Sequence, residues 1–492
     1  MNSVSRRSFL KKAALVSAAG SVVLQGCGAA RRATATASRR SQVIGANGDV
    51  RLAVIGFRGR GADHIREFGE LPGVRIVALC DADRDVLNAG VRRSEGRNAK
   101  VEAYTDVRKL LENPNIDAVS VATPNHWHSL MTVWACQAGK DVYVEKPVSH
   151  NVWEGRKAVE AARKYGRIVQ AGTQNRSDAG LREAIAWLKE GNLGRILLAR
   201  GLCYKRRKSI GKVAGPTPIP SPVDYDLWTG PAELLPLMRK ELHYDWHWVW
   251  NTGSGDIGNQ GIHEMDIARW ATGATALAPR VMSVGGRFGY DDDGETANTQ
   301  FVFYDYPDIP ILFEVRGLPM KPGIDEVAHY KGIRTGNVIH CEHGYYAGGW
   351  AYDQDGKKIR DFPLDGGAGH MRNFIDAVRS RKRESLNADI LEGHLSSALC
   401  HVGNVSHRLG TRRPPEEIRE RLEANSAMLE AFERFQEHLA VNGVDLSKDQ
   451  AVHGPWLEMD PKAEKFTGSD ALVANALISR NYRAPFVVPE KV

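Results

Sequence analysis

The sequence has no Cys-x-x-Cys pair. Its six cysteines stand far apart, at positions 27, 80, 136, 203, 341 and 400, so neither a zinc site nor a disulfide framework is indicated. Apolar stretches long enough to cross a bilayer are missing too, since the N-terminal run from Ala13 to Leu24 is too short to span one comfortably. Positive charge is scarce where it would matter. The formal charge of +7 rests on eight lysines and arginines in residues 1–41, a stretch without acids, and residues 42–492 carry −1. A nucleic-acid footprint is therefore not supported.

What stands first is an address. Ser5-Arg6-Arg7-Ser8-Phe9-Leu10-Lys11 is a twin-arginine export motif, and the apolar run behind it ends in Leu24-Gln25-Gly26-Cys27, which resembles a lipobox. These features predict a signal peptide over residues 1–26, a periplasmic destination and a lipid anchor at Cys27. Residues 27–49, rich in Ala, Ser, Thr and Arg, read as a flexible linker. The roughly 440 residues that remain suffice for two domains with sizeable cores.

Residues 50–172 alternate strand and helix at regular spacing, the pattern of a doubly wound parallel sheet. Arg51–Ile55 is a strand that runs into Gly56-Phe-Arg-Gly-Arg-Gly61 and then a helix. Glycines there let the backbone approach a pyrophosphate at the helix N-terminus. Gly56 and Gly61 take the first and third glycine positions, Arg58 stands at the second, and Gly59 and Arg60 lie between. The next strand, Val74–Cys80, ends in Asp81, where an acid meets ribose hydroxyls. Asp81 favours NAD, while Arg58, Arg60 and Arg84 leave room for the 2′-phosphate of NADP. An N-cap role is the other reading of Asp81. The strand Ala118–Ala122 leads into Thr123-Pro124-Asn125-His126-Trp127-His128, a loop placed to lie over a cofactor. His126 and His128 have no third ligand spaced nearby, so no metal is expected. The strand Val142–Val144 delivers Glu145-Lys146-Pro147, and a lysine at the C-terminal end of a parallel strand sits where open α/β sheets bind ligands.

In that order, the glycine turn, the aspartate, Thr-Pro-Asn-His-Trp-His and Glu-Lys-Pro-Val resemble the glucose–fructose oxidoreductase/inositol dehydrogenase (Gfo/Idh/MocA) family, from about residue 50 to about residue 410. The resemblance implies a Rossmann domain over 50–172. It also implies an α/β domain with a large open, mainly antiparallel sheet over 173–410. Its implied activity is NAD(P)-dependent oxidation or reduction of a sugar or cyclitol hydroxyl, in dimers or tetramers formed through the open sheet. Residues 411–492 read as a C-terminal extension that wraps the domains or a partner subunit.

The second domain carries the remaining candidates. Arg176, at the start of a helix, would grip a hydroxylated substrate or simply open that helix at the surface. Tyr225, Trp246 and His247, from two aromatic-rich stretches, suit a sugar's C–H faces and hydroxyls. In the segment Gly253–Trp270, Asn259 and His263 are four apart and share a helix face. The family's Asp-x-Gly-x-His pattern is matched at His263 but carries Asn259 in place of the acid. Asp256, one turn earlier, is the substitute.

The expected chemistry follows. His263 is the candidate base, with an ordinary pKa suited to neutral pH. Lys146 as ammonium would stabilise developing alkoxide, and Asn259, unable to take a proton, would orient the sugar or His263. Export with a folded domain predicts tightly held NAD(P), recycled by a second carbonyl substrate or an internal redox cycle. An NAD-dependent glycosidase is the neighbouring alternative, although the Tyr-Pro-Thr-His stretch of that branch is missing. A catalytically silent sugar-binding module is a further alternative, which Asn259 keeps open.

Overall fold

A computed structural model describes residues 48–96 and 99–492. The export motif, Cys27 and nearly all of the linker lie outside the described residues.

The first sheet contains β1 (Val50–Ile55), β2 (Val74–Cys80), β3 (Glu102–Tyr104), β4 (Ala118–Val121), β5 (Asp141–Val144) and β6 (Val169–Ala171). All pairings are parallel and the order is β3-β2-β1-β4-β5-β6. Helices α1 (Arg60–Gly69), α2 (Arg84–Glu95), α3 (Val107–Leu111), α4 (His128–Gln137) and α5 (Val152–Lys164) connect the strands. Helices cover both faces, which is why β4 and β5 are buried at every residue. Asp83, Asp106 and Asn151 cap α2, α3 and α5 by accepting backbone N–H bonds. The cap of α2 is therefore Asp83, and Asp81 is left for other work. The chain order reverses between β1 and β4, where such sheets open their ligand crevice.

The second sheet is mixed and has twelve strands. They are β7 (Ile196–Tyr204), β8 (Arg280–Gly286), β9 (Thr299–Tyr304), β10 (Ile311–Arg316), β11 (Thr335–Cys341), β12 (Gly344–Ala347), β13 (Trp350–Asp353), β14 (Lys358–Asp361), β15 (Thr411–Arg413), β16 (Ala451–His453), β17 (Leu457–Asp460) and β18 (Lys465–Thr467). Only β7 with β10 runs parallel. The helices are α6 (Ala179–Lys189), α7 (Tyr225–Thr229), α8 (Gly255–Asn259), α9 (Gly261–Thr272), α10 (His370–Ser380), α11 (Ile390–Leu409), α12 (Pro415–Leu422), α13 (Ser426–Val441) and α14 (Ala471–Asn475).

Alternation along the strands decides which face each side chain serves. Val302, Tyr304, Ile311 and Phe313 pack on α9 and α11. Phe301, Phe303 and Leu312 point the other way and are covered by Ile418 and Leu422 of α12 and Phe432 and Phe435 of α13. The segment from residue 411, expected as an extension wrapping the domains or a partner subunit, thus adds β15–β18 to the sheet edge and covers its second face over β8–β10. Periodicity could not reveal this, because an amphipathic helix does not name its partner. Over β8, β9 and β10 the open sheet is therefore covered by the chain's own α12 and α13.

A charged layer lies beneath α13. Glu314, 2% exposed, bonds Arg200, Arg434 and the Tyr204 hydroxyl, with Arg316 beside it.

Candidate active site

The turn after β1 is built for close approach. Gly56 has φ +73°, and a Cβ there would lie 2.8–2.9 Å from Thr123. At Gly61 a Cβ would meet the Gly56 carbonyl oxygen at 2.0 Å, so glycine lets α1 pack against the turn. Gly59 opens on empty space, and it begins α1 with no side-chain cap. Free amide groups at that helix start suit a pyrophosphate.

Asp81 follows β2 with one carboxylate oxygen accepting from the Phe57 amide (3.1 Å) and the other from the Asp83 amide (3.0 Å). Burial raises its pKa to about 6 against the pull of these two bonds. Thr123, Pro124, Asn125 and His128 line the same cleft. The Asn125 amide nitrogen is buried with no partner among the described residues, and an acceptor on a bound dinucleotide would satisfy it. The turn, the acid and this orphaned donor fit NAD.

Glu145 and Lys146 follow β5 directly. Burial alone would raise the Glu145 carboxyl, but a hydrogen bond from His64 and the charges of Lys146 and Arg60 hold it well below the usual carboxylate range. His128 stands between the Pro147 and Thr123 carbonyls at 2.6 and 2.7 Å, tying the Lys146 turn to the end of β4. Burial lowers the Lys146 pKa, with Glu145 and Glu264 opposing. Its ammonium donates to the Asn259 backbone carbonyl at 2.9 Å.

His263 lines the cleft and makes no side-chain hydrogen bond among the described residues. Burial, followed by the Lys146 charge, lowers its pKa to about 3, so it is a neutral imidazole at physiological pH. The expected ordinary pKa is corrected: desolvation keeps the ring unprotonated far below neutrality and makes it a weaker proton acceptor than an ordinary histidine. Its neighbour Glu264 has one carboxyl oxygen unpartnered, and burial lifts it to about 8.

A cavity of about 730 Å³ joins these groups, from Gly56, Arg58, Gly59, Arg60 and Asp81 to Glu145, Lys146, Asn259 and His263. Trp246 and His247 line it as well, their rings stacked at 3.6 Å.

Three expected members stand elsewhere. The Arg176 guanidinium is buried against Asp266 (2.8 Å) and Glu392 (3.1 Å), so each of its three nitrogens faces a carboxylate outside the cleft. Tyr225 stacks on Trp228 and donates its hydroxyl to the Leu235 carbonyl. Asp256 is clasped by two Arg207 nitrogens at 2.7 and 2.8 Å, and Asn259 reaches it only at 3.5 Å. It does not line the cavity and cannot replace the missing acid as a proton acceptor.

Phe57, Gln174, Leu227, Trp228, His243 and Tyr244 line the cleft without having been singled out. Gln174 lies two residues before Arg176, in the turn that leaves β6. His243 and Tyr244 follow a long irregular stretch with no period to read.

Residues 50–173 match the GFO_IDH_MocA oxidoreductase family, NAD-binding Rossmann fold, and residues 195–311 match its C-terminal alpha/beta domain. The chain belongs to the Gfo/Idh/MocA oxidoreductase family. Among similar relatives, a glycosyl hydrolase family 109 protein of Shewanella sp. is 33% identical over 165 residues, 31% of this chain and 36% of the relative. Inositol 2-dehydrogenase 2 of Saccharopolyspora erythraea is 29% identical over 236 residues, 46% of this chain and 57% of the relative. The chain thus spans between about a third and just over half of the length of these curated relatives. In fold it is similar to the WlbA dehydrogenase from Bordetella pertussis in complex with NADH and UDP-GlcNAcA, with TM-score 0.53, 18% identity, and 71% of this chain and 94% of that one covered. The aldose-aldose oxidoreductase from Caulobacter crescentus, complexed with glycerol, gives TM-score 0.53 at 17% identity, covering 73% and 98%.

Proposed function

We propose that the protein is an NAD-dependent oxidoreductase acting on a secondary hydroxyl or keto group of a sugar, glycoside or cyclitol. The observation that carries this reading is the single cavity joining the Gly56–Gly61 turn and Asp81 to Lys146 and His263. When bound, the nicotinamide supplies a hydride acceptor or donor. A ring nitrogen of His263 takes the hydroxyl proton, which its neutral state permits across the physiological range. Lys146 Nζ, anchored on the Asn259 carbonyl, has further hydrogens for the reacting oxygen and stabilises negative charge there. The Asn259 side chain orients and does not titrate. Trp246 and His247 offer ring faces to the substrate. The Arg6-Arg7 motif and Cys27 support export by the twin-arginine route and a periplasmic, lipid-anchored location.

A second reading is favoured by the relatives named as glycosyl hydrolases. In it a ring hydroxyl would be oxidised with its hydride passing to the bound nicotinamide, and the aglycone would leave by elimination. Water would add to the double bond so formed, and the same hydride would return to the carbonyl carbon.

Mass spectrometry of small molecules released on denaturing freshly purified protein tests the cofactor. Stoichiometric NAD(H) is expected, and sugars and glycosides are then screened for reduction of the bound nicotinamide. Aglycone release without net change in the cofactor would select the hydrolase reading. Protein that carries no nucleotide and binds none when it is added would end both.

A further inference from the structure

The last residues of the chain leave the second domain and return over the first. The Ile478 carbonyl accepts from the Trp153 amide at 3.0 Å. Arg480 donates to the Asn251 backbone and side-chain oxygens at 2.7 and 2.6 Å, and the Tyr482 hydroxyl donates to Glu154 at 2.9 Å. Further on, Phe486 and Val488 are buried within the core of the Rossmann domain. A tail that only trailed over the surface would leave such side chains in water.

Its contacts lead to the cleft. The Phe486 ring lies edge-on to Trp127 at 5.4 Å, and Trp127 donates its indole N–H to the Leu227 and Trp228 carbonyls at 3.1 and 3.0 Å. Trp127, Leu227 and Trp228 all line the cavity. Arg483 packs over Phe486 at 4.8 Å and donates to the Asp226 carboxylate and carbonyl, both at 2.6 Å. The start of α7 is stitched to the residues just after Asp81: the Arg84 amide donates to the Pro222 carbonyl (3.1 Å) and the Asp224 amide to that of Ala82 (2.9 Å). Helix α7 is thus a wall of the cleft whose start is pinned both to the residues just after Asp81 and, through Asp226, to the tail, while the Leu227 and Trp228 carbonyls are held by Trp127.

We propose that residues 476–492 form a latch. Docked, it holds α7 fast and keeps the dinucleotide in place through successive turnovers; exchange of the dinucleotide requires the tail to lift from Trp127 and Asp226. This rests on the NAD reading above. It assigns retention of the cofactor to a segment that touches none of its expected ligands.

The test uses the full chain loaded with NAD⁺ and chased with isotopically labelled NAD⁺, with hydrogen exchange of the Arg84 and Asp224 amides followed in parallel. Arg483→Gln removes the Asp226 bonds and should speed NAD⁺ exchange about tenfold, the effect of losing one charged hydrogen bond from the closed state. The two amides should lose protection together. Phe486→Ala should act in the same direction, and Glu490→Ala, on an exposed residue of the same tail, should leave both readouts at wild-type values. If Phe486→Ala fails to fold, Arg483→Gln decides. An Arg483→Gln protein with unchanged thermal midpoint, wild-type NAD⁺ exchange and fully protected Arg84 and Asp224 amides would overturn the latch. Should the wild-type protein take up no NAD⁺, the cofactor reading falls, and the two amides alone then show whether the tail holds α7.

Discussion

The Lys146 ammonium reaches from the last Rossmann turns to the backbone carbonyl of Asn259 at 2.9 Å. The contact crosses from the turn after β5 to the end of α8, the short helix just before α9, which presents His263. Lys146→Met keeps the chain length and loses the donor. Hydride transfer to the bound nicotinamide, followed near 340 nm with a sugar that reduces the wild type, should fall by about 10²–10³-fold. Released-nucleotide analysis should still find NAD. An active Lys146→Met protein would remove the lysine from the chemistry.

Asp81 makes a separate prediction. With its carboxylate removed in Asp81→Ala, calorimetry should show NAD⁺ affinity lowered by about tenfold. NADP⁺ affinity should rise, because the 2′-phosphate no longer faces a buried negative group. An unchanged NAD⁺/NADP⁺ ratio would count against ribose recognition at this corner.

Acid should destabilise the fold before its carboxylates titrate. Burial lowers His126, His247 and His263 to about 3 and His370, His401 and His407 to about 4. Unfolded histidines titrate near 6.5, so between that pH and about 4 the unfolded chain binds more protons and stability falls as pH falls. Asp81 and Glu264, raised to about 6 and about 8, act in the opposite sense but are fewer. Urea midpoints should decline from pH 7 to pH 5; a flat profile would show that these histidines are not buried neutral.

Glu314 neutralises the arginines under α13. Glu314→Ala leaves them buried without their carboxylate and should cost about 3–5 kcal/mol in urea unfolding. A loss under 1 kcal/mol would mean that water reaches this layer.

Tyr244 is 53% exposed at the cleft and has φ +75°. Tyr244→Gly and Tyr244→Ala both lose the phenol and its bond from Arg207, but only alanine keeps the strain. The glycine variant should be more stable by about 1 kcal/mol, and equal thermal midpoints would show that the turn relaxes.

Much of the first domain was legible because each device is local. Gly56, Asp81, Thr123 and Lys146 all follow a short buried strand, and a parallel sheet puts every such strand end at one crevice. His263 was legible by its family pattern, but the single helix expected to carry Asn259 and His263 is interrupted at Gln260, which divides α8 from α9. Arg176 and Asp256 were misplaced for a shared reason: a charged residue does not announce its partner, and Asp266 and Arg207 claim them from 90 and 49 positions away.

By itself the sequence determined the Rossmann domain, its cofactor turn and the lysine and histidine of the site, since strand period, glycine sterics and helical spacing act over a few residues. Only the tertiary structure decided that residues 411–446 cover the sheet over β8–β10, that His263 is held neutral, and that the C-terminal tail is bonded to the start of α7 beside the cleft. Those depend on which distant surfaces exclude water from one another, and burial is a property of the packed chain.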